Sequence, residues 1–249
     1  MKSILLWIYR LAVIPTTLIA MVILGMWGYV LSFFDKSGDK TMDFSARPFG
    51  NFVLMILAKP IEIKGLERLD PDGVYIFMPN HTSFLDIPIA VSKFPYNVRV
   101  IAKDLFFRIP FFGLAMTHSR NLRMHRDNPR KDLKTLSNGR ALLKEGKSIV
   151  VFPEGSRTRT GRLQPLKTAL FTLAIRSGAA VVPVAIKGAY ESLPPDSIRL
   201  VHHPISMEYL DPIDSTQYSI KERGKFADHV FQVLKNHLEK DQEPLKTNQ

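Results

Sequence analysis

The segment Asn-His-Thr-Ser-Phe-Leu-Asp, residues 80–86, places a histidine and an aspartate five positions apart directly after an apolar run. Histidine is the side chain whose ordinary pKa lies nearest neutrality, which suits it to act as a general base. Such a base needs a partner that orients one ring nitrogen, and a carboxylate is the usual partner. If the chain turns into a helix after His81, Asp86 can fold back to reach the ring. We therefore predict that His81 and Asp86 form a catalytic pair.

Two other interpretations of this segment remain open at the level of the residues alone. His81 could simply end a strand while Asp86 is a solvated helix residue, because the spacing HxxxxD is common by chance. A metal site is disfavoured, since no second histidine or cysteine lies nearby at the spacing of helical metal ligands.

A second polar block follows another apolar run and reads Pro-Glu-Gly-Ser-Arg-Thr, residues 153–158. Backbone N–H groups, two hydroxyls and a guanidinium at a strand end form a set that suits a phosphate monoester. Arg157 is the first candidate for a charge-assisted contact, and Glu154 could orient Arg157 or a substrate hydroxyl. A plain polar turn would explain the glycine and serine but not the adjacent glutamate and arginine. The spacing GxxxxGK[ST] of a P-loop is absent.

A third cluster, residues 118–134, carries six Lys and Arg against two Asp. A solvated face is the preferred interpretation for Arg130, Lys131 and Lys134. Nucleic-acid binding is disfavoured because aromatic residues do not interleave with these charges, as a base-stacking platform would require. The preceding segment, residues 103–113, is strongly apolar with scattered cations, which is typical of a surface that dips into a membrane interface.

Composition narrows the classes of partner and chemistry. The chain has 249 residues and no cysteine, which excludes disulfides, thiol nucleophiles and cysteine-based metal sites. The net charge of +11 favours anionic partners such as lipid headgroups, phosphorylated substrates or nucleic acid.

The elements that must position these motifs alternate between strand and helix. Apolar runs predict buried strands at 74–78, 98–102, 148–152 and 179–186, an edge strand at 61–65, and two strands within 197–209. Helical spacing and capping residues predict helices at 84–94, 129–144, 165–176 and 219–240. This alternation indicates an α/β fold with a mixed, largely parallel sheet flanked by helices. In such sheets, sites lie beyond the carboxyl ends of strands, where both polar blocks fall.

An N-terminal membrane anchor is predicted over residues 1–58, ahead of a catalytic domain at 59–249. Residues 11–34 carry no charge, and as a helix they would span about 36 Å against a hydrocarbon core of about 30 Å. A second apolar run occupies residues 49–60, and basic residues flank the first run almost equally. Pro15, Gly25 and Gly28 could bend the first helix. A two-helix hairpin that enters and leaves one leaflet through the linker 35–46 is favoured over a single span.

Three blocks in order carry a family resemblance. Residues 80–86 have the pattern NHxSxxD, residues 152–158 read FPEGSRT, and residues 182–186 read VPVAI. His81 and Glu154 lie 73 positions apart. Behind an apolar segment, and over about residues 60–210, this arrangement resembles the 1-acyl-glycerol-3-phosphate acyltransferase family of glycerolipid enzymes. The chain departs from the family between its first and second blocks, where Arg120 stands in place of a glycine and His125 in place of an acid.

The resemblance implies a glycerolipid acyltransferase fold and a mechanism without a protein nucleophile. His81, oriented by Asp86, would activate the free sn-2 hydroxyl of lysophosphatidic acid to attack the thioester of acyl-CoA or acyl carrier protein, giving phosphatidic acid. No metal and no cofactor beyond the thioester co-substrate are implied. The implied substrate-binding residues are Lys103, Arg126, Glu154, Gly155, Ser156, Arg157 and Thr158.

The implied partners are a phospholipid membrane, a lysophospholipid and the thioester donor, without nucleic acid. The implied location is a bacterial-type inner membrane, with the catalytic domain facing the cytoplasm. Rival interpretations are an acyltransferase for a lysolipid with a larger headgroup or a lyso-aminolipid, and a membrane-anchored binder of nucleic acid or anionic lipid without enzymatic activity. A serine esterase using Ser83 or Ser156 is a further rival, although it lacks the GxSxG elbow.

Overall fold

A computed structural model describes residues 2–57, 60–125, 127–197, 200–201 and 203–240. The predicted boundary between residues 58 and 59 and the predicted ligand Arg126 lie outside the described residues. Within the described residues, seven strands form one sheet: β1 Ile61–Lys64, β2 Tyr75–Pro79, β3 Val98–Lys103, β4 Leu122–Met124, β5 Ser148–Val150, β6 Ala180–Lys187 and β7 Ile205–Tyr209.

Seven helices of at least seven residues surround the sheet in the described chain: α1 Lys2–Ser32, α2 Arg47–Leu57, α3 Asp86–Ser92, α4 Phe112–His118, α5 Pro129–Lys144, α6 Thr168–Ser177 and α7 Arg223–Lys240. Shorter helical turns lie at Asp39–Thr41, Met42–Ala46, Leu66–Arg68, Asp104–Arg108, Ala189–Ser192, Ser215–Gln217 and Ile220–Glu222. The predicted helix at 129–144 has the observed bounds. Helix α4 and strand β4 were not predicted, because each is short and lies in a segment rich in apolar or basic residues.

The strand order is β1-β7-β6-β2-β5-β3-β4, and among these seven described strands only the β6–β7 pair is antiparallel. The prediction of a mixed, largely parallel sheet is therefore confirmed. The region 197–209, expected to hold two strands, contains the single strand β7 among its described residues. Because β2, β5 and β3 run parallel, their carboxyl ends meet at one edge of the sheet, which we call the carboxyl edge.

Strand β2 is buried on both sides, as its unbroken apolar sequence predicts. Phe77 belongs to one hydrophobic cluster, which also contains Leu54 of α2 and Ile89 of α3. Its neighbours Ile76 and Met78 belong to the other cluster. That second cluster is completed by α5, α6 and α7. The alternation follows from the two-residue period of a strand, so one face of the sheet is covered by α2 and α3 and the other by α5 to α7.

The second predicted anchor helix is thus part of the catalytic domain's own core. Gly50, Val53, Leu54 and Leu57 of α2 are buried. Only α1, over Pro15–Ser32, is long and apolar enough to cross a membrane among the described residues, and 11% of that window is buried. Helix α1 continues through Pro15.

The linker after α1 is bound to the sheet at the edge opposite the carboxyl edge. The fully buried Arg99, near the start of β3, donates to the backbone oxygen of Ser37 at 3.0 Å and pairs with the carboxylate of Asp39. Lys147, just before β5, donates to the same carboxylate at 2.6 Å. Buried charges thus hold the linker to the sheet, and the predicted two-helix hairpin in the membrane stays a prediction.

Candidate active site

The loop after β2 is held by side-chain bonds to a neighbouring strand. Asn80 donates from Nδ2 to the backbone oxygen of Ile186 at 2.9 Å, and its Oδ1 accepts from the Ile186 backbone nitrogen at 2.7 Å. These paired bonds attach the end of β2 to β6, on which Ile186 lies. Asn80 belongs to the motif that the sequence analysis singled out, but its positioning role depends on a strand 106 positions away.

The carboxylate of Asp86 organises the turn that carries His81. Its Oδ2 atom accepts from the backbone nitrogens of Thr82 at 2.6 Å and Ser83 at 2.8 Å, and lies 2.9 Å from Nδ1 of His81. Asp86 is the first residue of α3 and is fully buried. The structure therefore brings the predicted pair together, and the loop between them is shaped by the same carboxylate.

This contact decides which ring nitrogen of His81 can accept a proton. An ionised carboxylate only accepts hydrogen bonds, so Nδ1 carries the hydrogen in the neutral ring and Nε2 keeps its lone pair. The ring stacks on Phe152, with centroids 4.1 Å apart, and 13% of the side chain is exposed. His81 thus has the arrangement of a general base whose orientation is fixed by a carboxylate and an aromatic ring.

The backbone of His81 is bonded on both sides to the second polar block. Its backbone nitrogen donates to Oε1 of Glu154 at 2.6 Å, and its backbone oxygen accepts from the Thr158 nitrogen at 2.9 Å. The other carboxylate oxygen of Glu154 accepts from the Gln164 backbone nitrogen at 2.9 Å. Both oxygens of Glu154 are therefore engaged by the protein. Glu154 positions His81, whereas the sequence suggested that it contacts Arg157 or a substrate.

Burial raises the pKa of Glu154 to about 7, against the lowering effect of the hydrogen bonds from His81 and Gln164. The group is 2% exposed. Desolvation disfavours the charged form of a carboxyl, which accounts for the direction of the pKa shift.

The remaining predicted ligands lie along the carboxyl edge. Arg157 immediately precedes Thr158. The hydrogen bond from the Thr158 nitrogen to the His81 oxygen therefore holds Arg157 close to the loop after β2. Gly155 adopts a left-handed backbone with φ of 78°, and Ser156 is exposed. Thr158 is buried, and its hydroxyl lies 3.2 Å from that of Thr160. Lys103 is the last residue of β3, two strands from β2.

The two departures from the family pattern also have structural consequences. Arg120, which stands where the family has glycine, has a φ of 59° in the left-handed region that glycine adopts without strain. Its guanidinium forms a bidentate pair with Glu145 at 2.6 and 2.8 Å. His125 lies 3.5 Å from Asp104, and its backbone nitrogen donates to Asp132 at 2.7 Å.

A cavity of about 620 Å³ borders the loop after β2 at the carboxyl edge. It is lined by Asn80 and Thr82 on one side, by Gly161 and Tyr190 on another, and by Lys235 of α7. Its volume lies in the range of sites that bind small molecules. The residues on either side of His81 line this cavity, whereas His81 itself does not.

Comparison with known proteins identifies the family. Residues 60–187, which are 128 of the 249 positions, match the family model described as Acyltransferase. The chain belongs to the acyltransferase family. The resemblance drawn from the three sequence blocks is thus confirmed.

Individual relatives show how far the similarity extends. The chain is 29% identical over 197 residues to the 1-acyl-sn-glycerol-3-phosphate acyltransferase of Cocos nucifera, and this alignment covers 79% of the chain but 63% of that protein. It is 27% identical over 235 residues to the enzyme of the same name from Escherichia coli strain K12, with 94% of both chains covered.

The fold is similar to the crystal structure of the 1-acyl-sn-glycerophosphate (LPA) acyltransferase from Thermotoga maritima, with a TM-score of 0.80 at 23% identity. The superposition covers 99% of this chain and 100% of that one. The acyltransferase fold predicted from the sequence is therefore confirmed.

The first prediction concerns the pH dependence that Glu154 imposes on this acyltransferase. The folded protein holds a proton on Glu154 up to about pH 7, whereas an unfolded glutamate releases it near its ordinary pKa of 4.5. The contribution of Glu154 to the unfolding free energy therefore falls as pH rises from about 4.5 to about 7, by at most about 3 kcal/mol. The variant Glu154→Gln should lack this decrease in unfolding free energy, because glutamine does not titrate.

Unfolding of the detergent-solubilised protein, followed across this pH range, measures the difference between wild type and variant. Glu67→Gln, at an exposed position, serves as the control and should follow the wild-type profile. A constant offset between wild type and Glu154→Gln at every pH would contradict the raised pKa.

Proposed function

We propose that this protein transfers a fatty acyl group from acyl-CoA or acyl carrier protein to the sn-2 hydroxyl of lysophosphatidic acid, producing phosphatidic acid. The observation that supports this most directly is the His81–Asp86 contact of 2.9 Å beside the loop that carries Arg157. The names of the relatives from Cocos nucifera and Escherichia coli support the same acceptor.

In the proposed reaction, Nε2 of His81 accepts the proton of the acceptor hydroxyl while that oxygen bonds to the thioester carbonyl carbon. The tetrahedral intermediate then collapses, the carbon–sulfur bond breaks, and the imidazolium returns the proton to the leaving thiolate. Asp86 holds the ring orientation and stabilises the imidazolium throughout. The nucleophile comes from the substrate, which explains why the motif contains none.

The serine hydroxyls of the two blocks are placed differently from a hydrolase nucleophile. Ser83 is fully buried and its Oγ donates to the backbone oxygen of Leu193 at 2.7 Å. Ser156 is exposed on the second loop, and its backbone oxygen accepts from Gln164 at 3.0 Å. These contacts favour acyl transfer to an external hydroxyl over a serine esterase.

Arg157 is the proposed ligand of the acceptor phosphate. Within the described part of the chain it has no ion-pair partner, whereas the neighbouring Arg159 pairs with Asp196 at 3.1 Å. A guanidinium without a partner carboxylate can bind a phosphate through two parallel N–H groups. Lys103, Gly155 and Ser156 are proposed to complete this phosphate site.

We propose that the protein associates with the membrane through the exposed face of α1, and that α1 does not cross the bilayer. Leu18, Ile19, Ile23 and Trp27 on that face are half or more exposed. At Gly25 and Gly28, however, α1 packs closely on α4 and the linker. A helix that packs on the protein along one side is not surrounded by lipid as an isolated bilayer-spanning helix would be. A cytosolic thioester donor also requires the catalytic domain to face the cytoplasm.

The second prediction tests the general base. His81→Ala should lower the turnover number for acyl transfer by roughly 10²- to 10⁴-fold, the usual value of general acid–base catalysis. Asp86→Asn should lower the turnover number nearly as much, because an amide at this position no longer fixes the hydrogen of the neutral His81 ring on Nδ1. The assay uses purified protein, labelled acyl donors and a panel of lysolipids, with His229→Ala on α7 as a control that retains activity.

Near-wild-type turnover of folded His81→Ala would overturn the mechanism. Transfer only to a lysolipid other than lysophosphatidic acid would overturn the proposed acceptor while keeping the reaction type.

The third prediction tests the phosphate ligand. Arg157→Lys keeps the charge but loses the planar guanidinium with its two parallel N–H donors. The apparent affinity for lysophosphatidic acid should therefore fall about tenfold, and the apparent affinity for the acyl donor should change little. Arg159→Lys is the matched control, because the Arg159 side chain is 84% exposed. Weakening confined to the thioester donor would instead assign Arg157 to the donor site.

The fourth prediction tests membrane topology in this cysteine-free chain. Single cysteines at Ser3, near the start of α1, and at the exposed Lys36 should both react with an impermeant reagent only from the cytosolic side. Reaction of the Ser3→Cys protein from the opposite side would establish a spanning helix and refute the one-sided anchor.

A further inference from the structure

A second cavity lies at the far end of the carboxyl edge, away from the catalytic pair. Its volume is about 390 Å³, and it lies where β4, α4 and α5 meet. Strand β4 is three places from β2 in the sheet, so a spacing of about 4.8 Å per strand puts it about 14 Å away from the strand that carries His81. We call it the α5 cavity; its lining contains neither the catalytic pair, nor the Arg157 loop, nor Lys103, which lies on the neighbouring strand β3.

The lining of the α5 cavity is cationic. It includes Arg123, His125, Lys131 and Lys134, together with the neutral side chains of Asn121 and Asn138, and no acidic residue. The sequence analysis treated Lys131 and Lys134 as a solvated face. Both lysines are exposed, as that interpretation requires, and the structure gathers them with Arg123 and His125 around one concavity.

Two acidic groups near this cavity, Asp104 and Asp132, are already engaged by other residues. Asp104 contacts Arg108, Arg123 and His125, with the latter two at 3.5 Å. Asp132 accepts from the His125 backbone nitrogen at 2.7 Å. Lys131 and Lys134 have no ion-pair partner within the described ranges. The cavity therefore keeps an excess of positive charge at its mouth.

Arg123 is positioned independently of any ligand. Its guanidinium carbon lies 4.7 Å from the centroid of the Phe107 ring, an arrangement that stabilises a cation above an aromatic face. The hydroxyl of Thr135 donates to the Arg123 backbone oxygen at 2.6 Å, which attaches β4 to α5. This preorganised guanidinium suits a phosphate oxygen, because less conformational freedom is lost on binding.

Exposed apolar side chains surround these cations. Leu105 is 67%, Leu114 43% and Leu133 58% exposed, and each lies within one helical turn of a residue that lines the α5 cavity. Helix α4 also packs on α1, where Gly25 and Gly28 allow the close approach of Phe112 and Ala115. Exposed leucines beside lysines are typical of a surface at the level of lipid headgroups.

We propose that the α5 cavity binds the phosphate headgroup of an anionic bilayer phospholipid, at a site separate from the catalytic centre. The lining supplies the guanidinium, ammonium and amide donors that a phosphate accepts, and the surrounding leucines contact the adjoining acyl chains. Such a site would orient the carboxyl edge toward the membrane and would make attachment of the protein to the membrane depend on anionic lipid. The binding claim does not rest on which lysolipid the enzyme acylates.

The test is binding of the full-length protein to vesicles of phosphatidylcholine alone and of phosphatidylcholine with phosphatidylglycerol. The double variant Lys131→Gln/Lys134→Gln should bind the anionic vesicles about tenfold to thirtyfold more weakly, since a basic residue near an anionic surface contributes about 1 kcal/mol. Binding to neutral vesicles should be unchanged, because α1 remains.

Two further variants distinguish binding in the α5 cavity from diffuse electrostatic attraction to an anionic membrane. Arg140→Gln/Lys144→Gln removes the same charge about 14 Å further along α5 on average, more than one screening length away, and should lose much less binding than Lys131→Gln/Lys134→Gln does. Asn138→Trp fills the α5 cavity without changing charge and should lose the preference for anionic vesicles.

Three outcomes would overturn the proposal. Equal losses in both double variants would indicate diffuse attraction, and full anionic preference in Asn138→Trp would exclude the cavity. A raised apparent KM for the acyl donor with unchanged vesicle binding would assign the α5 cavity to the donor's phosphate. Failure of the proposed acceptor is distinguishable from all three, because vesicle binding is measured without turnover.

Discussion

The site depends on the backbone of one residue, His81, being bonded on both sides to a loop from another strand. Glu154 accepts from its nitrogen and Thr158 donates to its oxygen, while Asp86 orients its ring. The imidazole is therefore fixed by contacts in both loops, and neither loop could position it alone. Buried hydrogen bonds to a carboxylate resist distortion because leaving either partner unsatisfied is costly.

This constraint works only because the sheet brings the two loops to one edge. Strands β2 and β5 are parallel neighbours, so both loops begin at their carboxyl ends. Helices on both faces bury the strands completely, which excludes water from the base of the site. The burial that stabilises the sheet is also what raises the pKa of Glu154, since the carboxyl lies beneath the loops with little solvent to stabilise its charge.

The N-terminal helices are connected to the catalytic domain more closely than a simple anchor would be. Helix α2 contributes Leu54 to a core cluster, and Arg99 and Lys147 hold the linker through Asp39. Orientation of α1 is thereby coupled to the sheet, and the apolar surface of α1 lies in a fixed relation to the catalytic edge. If the acceptor is a membrane lipid, as proposed, this coupling would present the site to the membrane at a defined angle.

The sequence by itself determined the class of enzyme and the fold class. Motif residues such as His81, Asp86 and Arg157 are recognisable because their types and local spacing follow from the reaction, and apolar periodicity follows from burial on sheet faces. The tertiary structure alone decided the positioning role of Glu154, the attachment of Asn80 to Ile186, and the meeting of Lys131 and Lys134 with Arg123. Each depends on how separate elements pack together, and this packing, unlike periodicity, leaves no local pattern in the chain.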